Sequence, residues 1–290
     1  MPPPESHLEK NEEGLWGPYH SPLAEPGPTI KTILAENISM AGGPAAVLLQ
    51  IANDKIGLAV SEHSSFTKRP VQRARRTLFY LYVMAFGTPE ERRHITDATH
   101  AAHARVKDPG GAYEADDPDL QLWVAATIYW SLIVSYEEVY GALDDDTADQ
   151  AYREFSIYAT GLRVPPEMWP KDRVAFQEYW KTKIAGLEIT EAAKAVGHDV
   201  LYPGSNLPWA AWFYTRLTGH FSRITTTELL PESIRNEFGI HSTLYTRFMY
   251  WLMSLQSRTV YPLLPETIRH FGKDYHMRDL RRRIRTGARL

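Results

Sequence analysis

A helix with two contrasting faces is predicted at residues 70–86. One face has the helical spacing of a core-facing stripe and consists of Val71, Ala74, Leu78, Leu81 and Ala85. Arg73, Thr77 and Tyr80 fall together on another side, and Arg76 lies next to them. A helix that is apolar on most sides is usually buried on most sides. The pattern therefore places Arg73 and Thr77 away from open solvent.

A buried guanidinium at Arg73 requires an anionic partner, because an unpaired charge is costly to remove from water. Two interpretations follow. An acidic side chain elsewhere in the chain could form a structural salt bridge with Arg73. Alternatively, Arg73 could hold an anionic ligand or cofactor group, with the hydroxyl of Thr77 as a hydrogen-bond donor.

The next predicted helix, residues 88–107, carries three histidines. Its apolar stripe consists of Ile95, Ala98, Ala102 and Val106. His103 lies about 80° from the centre of this stripe and is best directed at a neighbouring helix, whereas His100 is predicted to face water. Ala101 and Ala104 would let a flat molecule approach His103. Since imidazole is the commonest metal ligand, His103 is either a metal ligand or a hydrogen-bonded core residue.

Helix start signals recur along the rest of the chain, as at Thr88-Pro89 and Asp117-Pro118. Further helices are predicted at residues 116–141, 144–158, 171–187, 189–196 and 207–218, then in a buried stretch at 242–257 and a basic tail from 275. Alternating strand patterns with tight turns are missing from the sequence. The prediction is an all-α fold of globin-like or helical-bundle type, with a single compact domain at residues 15–290 after a disordered leader at 1–14.

Composition excludes several functions. The net charge of −3 argues against a nucleic-acid-binding protein, which would show a basic stripe. The one basic run lies at residues 281–285, where it indicates either a solvated helix end or a site for an anionic partner. The chain has no cysteine, which excludes disulfides, cysteine nucleophiles and thiolate-ligated heme.

The longest apolar run, Leu122–Val134, is too short for a membrane span, which needs about 20 residues. It is typical of a buried core helix. The polar N-terminus has no apolar signal core. We therefore expect no integral membrane segment and a cytoplasmic location.

Several motifs occur in a recognisable order along nearly the whole chain, from about Leu15 to Arg285. They are Val47-Leu48-Leu49-Gln50, His63-Ser64-Ser65-Phe66, Arg73-Ala74-Arg75-Arg76-Thr77, His103-Ala104-Arg105-Val106, Asp116-Asp117-Pro118-Asp119-Leu120-Gln121-Leu122-Trp123 and Leu264-Pro265-Glu266-Thr267-Ile268-Arg269. In this set the sequence resembles the MpaB / rubber oxygenase (latex clearing protein) catalytic-domain family. The arginine–threonine helix followed by His-x-Arg-Val is the most specific part.

The resemblance implies a helical fold with an internal pocket for heme b and with His103 as the proximal iron ligand. It places Arg73, Arg76 and Thr77 on the distal side as catalytic residues. The rubber-cleaving branch has a lysine at the position of Arg76 that can bind iron. The guanidinium of Arg76 stays protonated and has no lone pair to donate. The catalytic glutamate of that branch has no secure match, although Glu62 lies near the right region.

A heme site also needs cations for the propionates and a lining around the macrocycle. Arg73 and Arg105 are the candidate propionate partners, and His63 and Tyr80 are further candidates for contact with the cofactor.

The expected function is a heme b-dependent mono- or dioxygenase that uses O2 on an apolar or aromatic small molecule, such as a natural product of secondary metabolism. The substrate class rests on apolar and aromatic candidates for the pocket lining, namely Phe79, Tyr80, Met84, Trp123 and Trp130. Two alternatives belong to other classes: a heme-binding sensor or carrier without turnover, and a heme-free helical scaffold in which Arg73 forms a salt bridge.

Overall fold

The computed structural model describes residues 26–62, 70–202 and 209–288. Their regular structure is helical throughout, and Lys107 and Glu114 form an isolated bridge. The α-helices are α1 Pro28–Ala35, α2 Gly43–Ile51, α3 Asp54–Glu62, α4 Pro70–Phe86, α5 Pro89–His103, α6 Pro118–Tyr140, α7 Asp145–Thr160, α8 Arg173–Ala185, α9 Glu191–Leu201, α10 Trp209–Leu229, α11 Glu232–Glu237, α12 Leu244–Val260, α13 Glu266–Arg269 and α14 Phe271–Thr286. This confirms the all-α prediction. The predicted leader at residues 1–14 lies outside the described residues.

Helix boundaries follow the capping residues in the sequence. The Thr88 side chain accepts a hydrogen bond from the backbone N–H of Glu91, and the Glu91 side chain accepts one from the Thr88 N–H, which forms a capping box at the start of α5. Asp117 and Asp144 cap α6 and α7 with side-chain acceptors for free N–H groups. The periodicity of apolar residues predicted the ends of helices less accurately. α5 ends four residues before its predicted end at Lys107, and α10 runs eleven residues past its predicted end at Thr218.

The apolar run at residues 122–134 forms the middle of α6, and its prediction as a core helix is confirmed. Trp123 is 1% exposed, and its indole N–H donates to the carbonyl of Leu49 at 3.0 Å. A 3₁₀ turn at Asn37–Gly42 lies on the same helix. A side chain at Gly42 would meet Ser135 Oγ at 2.8 Å and the Ser131 carbonyl oxygen at 2.9 Å. Glycine is therefore needed for this close approach.

α4 and α5 form a pair that leads to the candidate site. α14 covers the C-terminal half of α4, where His276 stacks on Tyr82 with ring centroids 5.7 Å apart. The buried face of α5 contacts α4 through Thr96, whose hydroxyl lies 3.9 Å from the sulfur of Met84. The N-terminal end of α5 is tied to α14 by an ion pair between Arg281 and Glu91 at 2.8 Å.

The prediction that residues 242–257 are buried is wrong. This stretch forms α12, a described helix in which no residue is buried. Leu244 is 86% exposed, and Phe248 and Trp251 are each 58% exposed. The described neighbours, α6 and α10, cover this helix along only part of its circumference, although its apolar residues occur on several faces.

Of the described helices, no single one is long and apolar enough to cross a bilayer. The bent pair Pro28–Ala35 and Asn37–Ile51, with an angle of 76° between its parts, meets the length and composition criteria when both parts are taken together.

The basic run at the C-terminal end of α14 is engaged in ion pairs. Arg282 and Arg283 both contact the carboxylate of Asp279, at 2.6 and 2.9 Å. These pairs lie one turn apart, the spacing at which helical side chains meet. They agree with the interpretation of this run as a helix end.

Candidate functional site

His103 is the last residue of α5, and its half-buried ring faces the start of α6. Its Nδ1 lies 3.4 Å from the side-chain nitrogen of Gln121, in the first turn of that helix. The backbone turns away immediately afterwards, because Val106 N–H bonds to the carbonyl of His103 at 2.8 Å. Ala101 and Ala104, which flank His103 in the sequence, are exposed.

Burial lowers the pKa of His103 from its ordinary value of 6.5 to about 4, and the guanidinium groups of Arg73 and Arg163 contribute in the same direction. His103 is consequently neutral at pH 7, with a lone pair on one ring nitrogen. The electrostatic effect also shows that Arg73 on α4 lies near His103 on α5. The structure thus brings together two of the residues that the sequence singled out.

Arg73 is accessible to solvent, which contradicts the prediction that it lies away from water. The surrounding protein nevertheless desolvates its guanidinium and lowers its pKa to about 10. Arg73 is therefore a charged group that water reaches and that the surrounding protein partly desolvates.

The other predicted residues of α4 differ in their surroundings. Arg76 and Thr77 are exposed, and the Thr77 hydroxyl lies 3.5 Å from the carbonyl of Arg73, at the long limit of a hydrogen bond. Tyr80 is buried, and its hydroxyl donates to the carbonyl of Tyr158 at 3.0 Å. Burial raises the pKa of Tyr80 well above its ordinary value. Its hydroxyl therefore serves the packing of α4 on α7.

Three further predicted positions lie around the ends of α3 and α5. Arg105 is exposed in the turn after α5. His63 lies outside the described residues. The carboxylate of Glu62, at the end of α3, accepts a hydrogen bond from the Tyr113 hydroxyl at 2.7 Å, and this bond raises the pKa of Tyr113 to about 12.

The orientation of α5 corrects the prediction for His100. This ring is fully buried instead of facing water, and His94 is the exposed histidine of the helix. The buried face follows Arg92, Thr96 and His100 instead of the alanine stripe, because Thr96 packs on Met84 and Arg92 donates to the Gly87 carbonyl at 3.1 Å. Polar side chains with partners in α4 and in the turn that follows it thus set the rotation of the helix.

A buried polar cluster behind His103 was missed by the sequence reasoning. Asp116 and Arg163 form an ion pair at 3.2 Å, with side chains that are 7% and 8% exposed. Burial raises the pKa of Asp116 more than Arg163 lowers it. Gln121 joins the cluster by accepting from the backbone N–H of Arg163 at 2.8 Å. The signal for it was a glutamine between two leucines, Leu120 and Leu122, at the start of an apolar helix.

The predicted pocket lining is also corrected. Phe79, Tyr80, Met84 and Trp123 are packed in the hydrophobic core, and Trp130 stacks on Trp180 with centroids 5.2 Å apart. Two surface depressions of about 250 and 340 Å³ lie elsewhere, lined by residues such as Thr32 and Leu143 in one and Arg153 and Pro166 in the other.

Comparison with known proteins gives the site its chemical context. Residues 30–260 match the family described as "ER-bound oxygenase mpaB/B'/Rubber oxygenase, catalytic domain". The chain belongs to this family. The resemblance drawn from the motifs is confirmed, and it rests on residues 30–260, so the motif at residues 264–269 lies beyond the match.

Two mycobacterial relatives have the same degree of similarity to this oxygenase-family chain. They are the uncharacterized protein Mb2261 of Mycobacterium bovis and the uncharacterized protein Rv2237 of Mycobacterium tuberculosis, each 35% identical over 256 residues. The alignments cover 85% of this chain and 98% of each relative. No solved structure matches.

Proposed function

We propose that this protein is a heme b-dependent oxygenase, with His103 as the axial ligand of the iron. The observation that carries the proposal is a neutral imidazole near two arginines, in the catalytic domain of an oxygenase family. One protein ligand is sufficient for heme, because the porphyrin supplies the remaining equatorial nitrogens.

The described residues fit the cofactor in three respects. His103 has an available lone pair at pH 7, since burial keeps it unprotonated. Arg73 and Arg105, which are both exposed, are the proposed partners for the two propionates. Arg73 and the small residues Ala101 and Ala104 are exposed among the described residues, which leaves them available to a ligand. His63 is a further proposed cofactor contact, whereas the core position of Tyr80 removes it from this set.

Bound heme would supply the activation of O2, by one-atom or two-atom transfer to the substrate. The protein side chains assigned to catalysis are Arg73, Arg76 and Thr77, which share one side of the N-terminal half of α4. Two guanidinium groups and a hydroxyl can donate hydrogen bonds to negative charge as it develops, and donors that are already oriented need no rearrangement during reaction. Neither arginine can lose its proton, so their role is electrostatic and not acid–base.

The proposed substrate is an apolar or aromatic small organic molecule. Support for it comes from the family description, which includes a rubber oxygenase and thus an enzyme for a hydrocarbon substrate. The core positions of Phe79 and Trp123 remove them from the proposed substrate contacts.

Hemin titration of the purified protein tests the proposal. The wild-type protein should acquire a Soret band with stoichiometric hemin, and His103→Ala should lose it or change its ligation while the far-ultraviolet circular dichroism stays the same. His94→Ala is the matched control because His94 is exposed on the same helix. His100 is unsuitable as a control, since its ring is fully buried.

The outcomes distinguish the alternatives. A wild-type protein without a Soret band after hemin addition would support the heme-free scaffold. Stable spectra of the reduced protein with O2 or CO, without oxygen consumption in the presence of any apolar substrate, would support a sensor or carrier. An unchanged heme spectrum in His103→Ala would reject the ligand assignment.

A further inference from the structure

α12 carries exposed apolar side chains along one side. We call this side the α12 face, and it consists of Leu244, Phe248, Trp251, Leu252 and Leu255. At 100° per residue its members fall within about a third of the helix circumference. Tyr250 and Met253, on the opposite side, are partly covered. The helix therefore has a covered side and an open apolar side.

The α12 face has the spacing of a helix–helix seam. The steps from Leu244 to Phe248, Trp251 and Leu255 are four, three and four residues, which is the repeat of a coiled-coil seam. The rings of Phe248 and Trp251 stack with centroids 6.0 Å apart, so the middle of the seam is a continuous aromatic surface. Such a seam packs best against a second helix, whose side chains leave holes at the same repeat.

The charges around the α12 face favour a second copy of the chain as the partner. The face has no charged residue, so two copies can meet without like-charge repulsion. Arg258 at its border pairs with Glu138 at 3.1 Å, and Arg247 donates to Ser242 Oγ at 2.8 Å. A helix that binds a membrane surface typically has a polar side rich in lysine and arginine, whereas α12 has only these two arginines.

The uncovered area is also of the right order. Phe248 and Trp251 are each 58% exposed, and because aromatic side chains bury roughly 150–250 Å² each, about 100 Å² of each stays open. Five residues on this scale give on the order of 500 Å², near the upper end of the apolar patches on monomers. A standard interface takes about 800 Å² from each partner. Tyr245 and Leu263, which are also exposed, extend the α12 face toward that size.

The α12 face is separate from the candidate site. Ser254 and Arg258 tie α12 to Glu138, near the C-terminal end of α6. His103 instead faces Gln121, in the first turn of α6. A rise of 1.5 Å per residue puts Gln121 and Glu138 about 25 Å apart along this helix.

We propose that the α12 face is the interface of a homodimer, in which α12 of one copy packs against α12 of the other about a two-fold axis. A two-fold interface uses the same patch on both copies, so the patch must complement itself. An uncharged seam at a helical repeat meets this requirement. The proposal does not depend on heme binding, and failure of the oxygenase proposal would leave it unaffected.

Sedimentation velocity over a range of protein concentrations tests the proposal. Wild type should form a species of about twice the chain mass of 33.1 kDa. Trp251→Glu should weaken association at least about thirtyfold, because large aromatic residues at the centre of an interface carry most of the binding energy. Val174→Glu is the matched control, since Val174 is also an exposed apolar residue but lies on α8. It should associate as wild type does.

Leu244→Glu keeps the proposal testable if the circular dichroism of Trp251→Glu shows a folding defect. Leu244 is almost fully exposed, so its replacement removes little packing within the chain, and association should again weaken. A wild type that stays monomeric at every concentration would overturn the proposal, as would equal association of wild type and both folded variants. Wild-type monomers that float with phosphatidylcholine vesicles, when Trp251→Glu does not, would reject the dimer in favour of a membrane surface.

Discussion

The two halves of α4 differ although they form one continuous helix. From Phe79 to Ala85 every residue is buried, including Tyr80 and Tyr82 on opposite sides of the helix. From Gln72 to Thr77 every residue is accessible, and even Ala74, which belongs to the predicted core stripe, is exposed. Packing therefore stabilises the C-terminal half, while the N-terminal half carries the polar groups of the proposed site.

The difference shows where the proposed function can be altered without unfolding the protein. Removing a side chain from a close-packed half leaves a cavity, whereas truncating an accessible side chain leaves no cavity to collapse. The accessible half also contains Arg73, the residue that electrostatically reaches His103 on α5. Under the proposed function, heme and substrate would cover what the protein leaves open there.

The largest effect is expected at the boundary of the buried half. Phe79→Ala should lower the free energy of unfolding by about 3–5 kcal/mol, because Phe79 is 1% exposed and its truncation leaves a cavity. Urea denaturation measures the loss. Thr77→Ala, half a turn away and exposed, is the matched comparison and should change stability by no more than about 0.5 kcal/mol. Similar losses in both variants would contradict the division of α4.

A smaller effect on stability is expected from the protonation of His103, whose pKa responds to Arg73 in the accessible half of α4. The folded protein keeps His103 unprotonated down to about pH 4, whereas the unfolded chain takes up the proton near pH 6.5. Between these values the unfolded state binds more protons, so stability falls as the pH falls. His103 should account for up to about 2 kcal/mol of lost stability between pH 7 and pH 5 in the heme-free protein.

Arg73 should contribute to this pH dependence. Arg73→Ala removes one of the positive charges that lower the pKa of His103, so the pKa should rise toward its ordinary value. The loss of stability between pH 7 and pH 5 should then be smaller than in wild type. Urea unfolding at the two pH values gives the comparison. An identical pH dependence in wild type and Arg73→Ala would show that Arg73 on α4 and His103 on α5 do not interact.

The variant with the smallest expected effect on stability, Thr77→Ala, should show a clear effect on the rate of reaction. Thr77→Ala should bind hemin as wild type does but consume oxygen about tenfold or more slowly, because one donor to developing negative charge is lost. Oxygen-electrode measurements of the loaded protein provide the rate, and Thr77→Ser, which keeps the hydroxyl, should recover it. If Thr77→Ala matches wild type, Thr77 has no part in the mechanism.

Periodicity and helix-start signals predicted most of the fold. Thr88, Asp117 and Asp144 cap the helices that their sequence context indicated, since a side-chain acceptor next to free N–H groups is a local property. Burial was harder to predict. α12 is apolar but has no buried residue, and α5 turns His100 into the core instead of Ala98 and Ala102, because the neighbours that cover a helix come from distant parts of the chain.

The candidate site was predicted in part for the same reason. His103 and Arg73 could be selected from their positions on two consecutive helices, and the structure places them close enough to interact. Asp116, Gln121 and Arg163 could not be grouped from sequence, because 42 residues separate Gln121 from Arg163, and their hydrogen bond forms only when the first turn of α6 meets the loop after α7.

The order of residues alone determined the helical character of this protein, the caps of its helices, its family and the identity of the histidine proposed to bind heme. These are properties of short segments, where spacing and chemical type act within a few turns of chain. Tertiary structure decided which helical faces are covered, how strongly His103 is desolvated and that Gln121 lies beside its ring. These features depend on which distant segments of the chain meet, because burial and directed hydrogen bonds arise only where such segments are in contact.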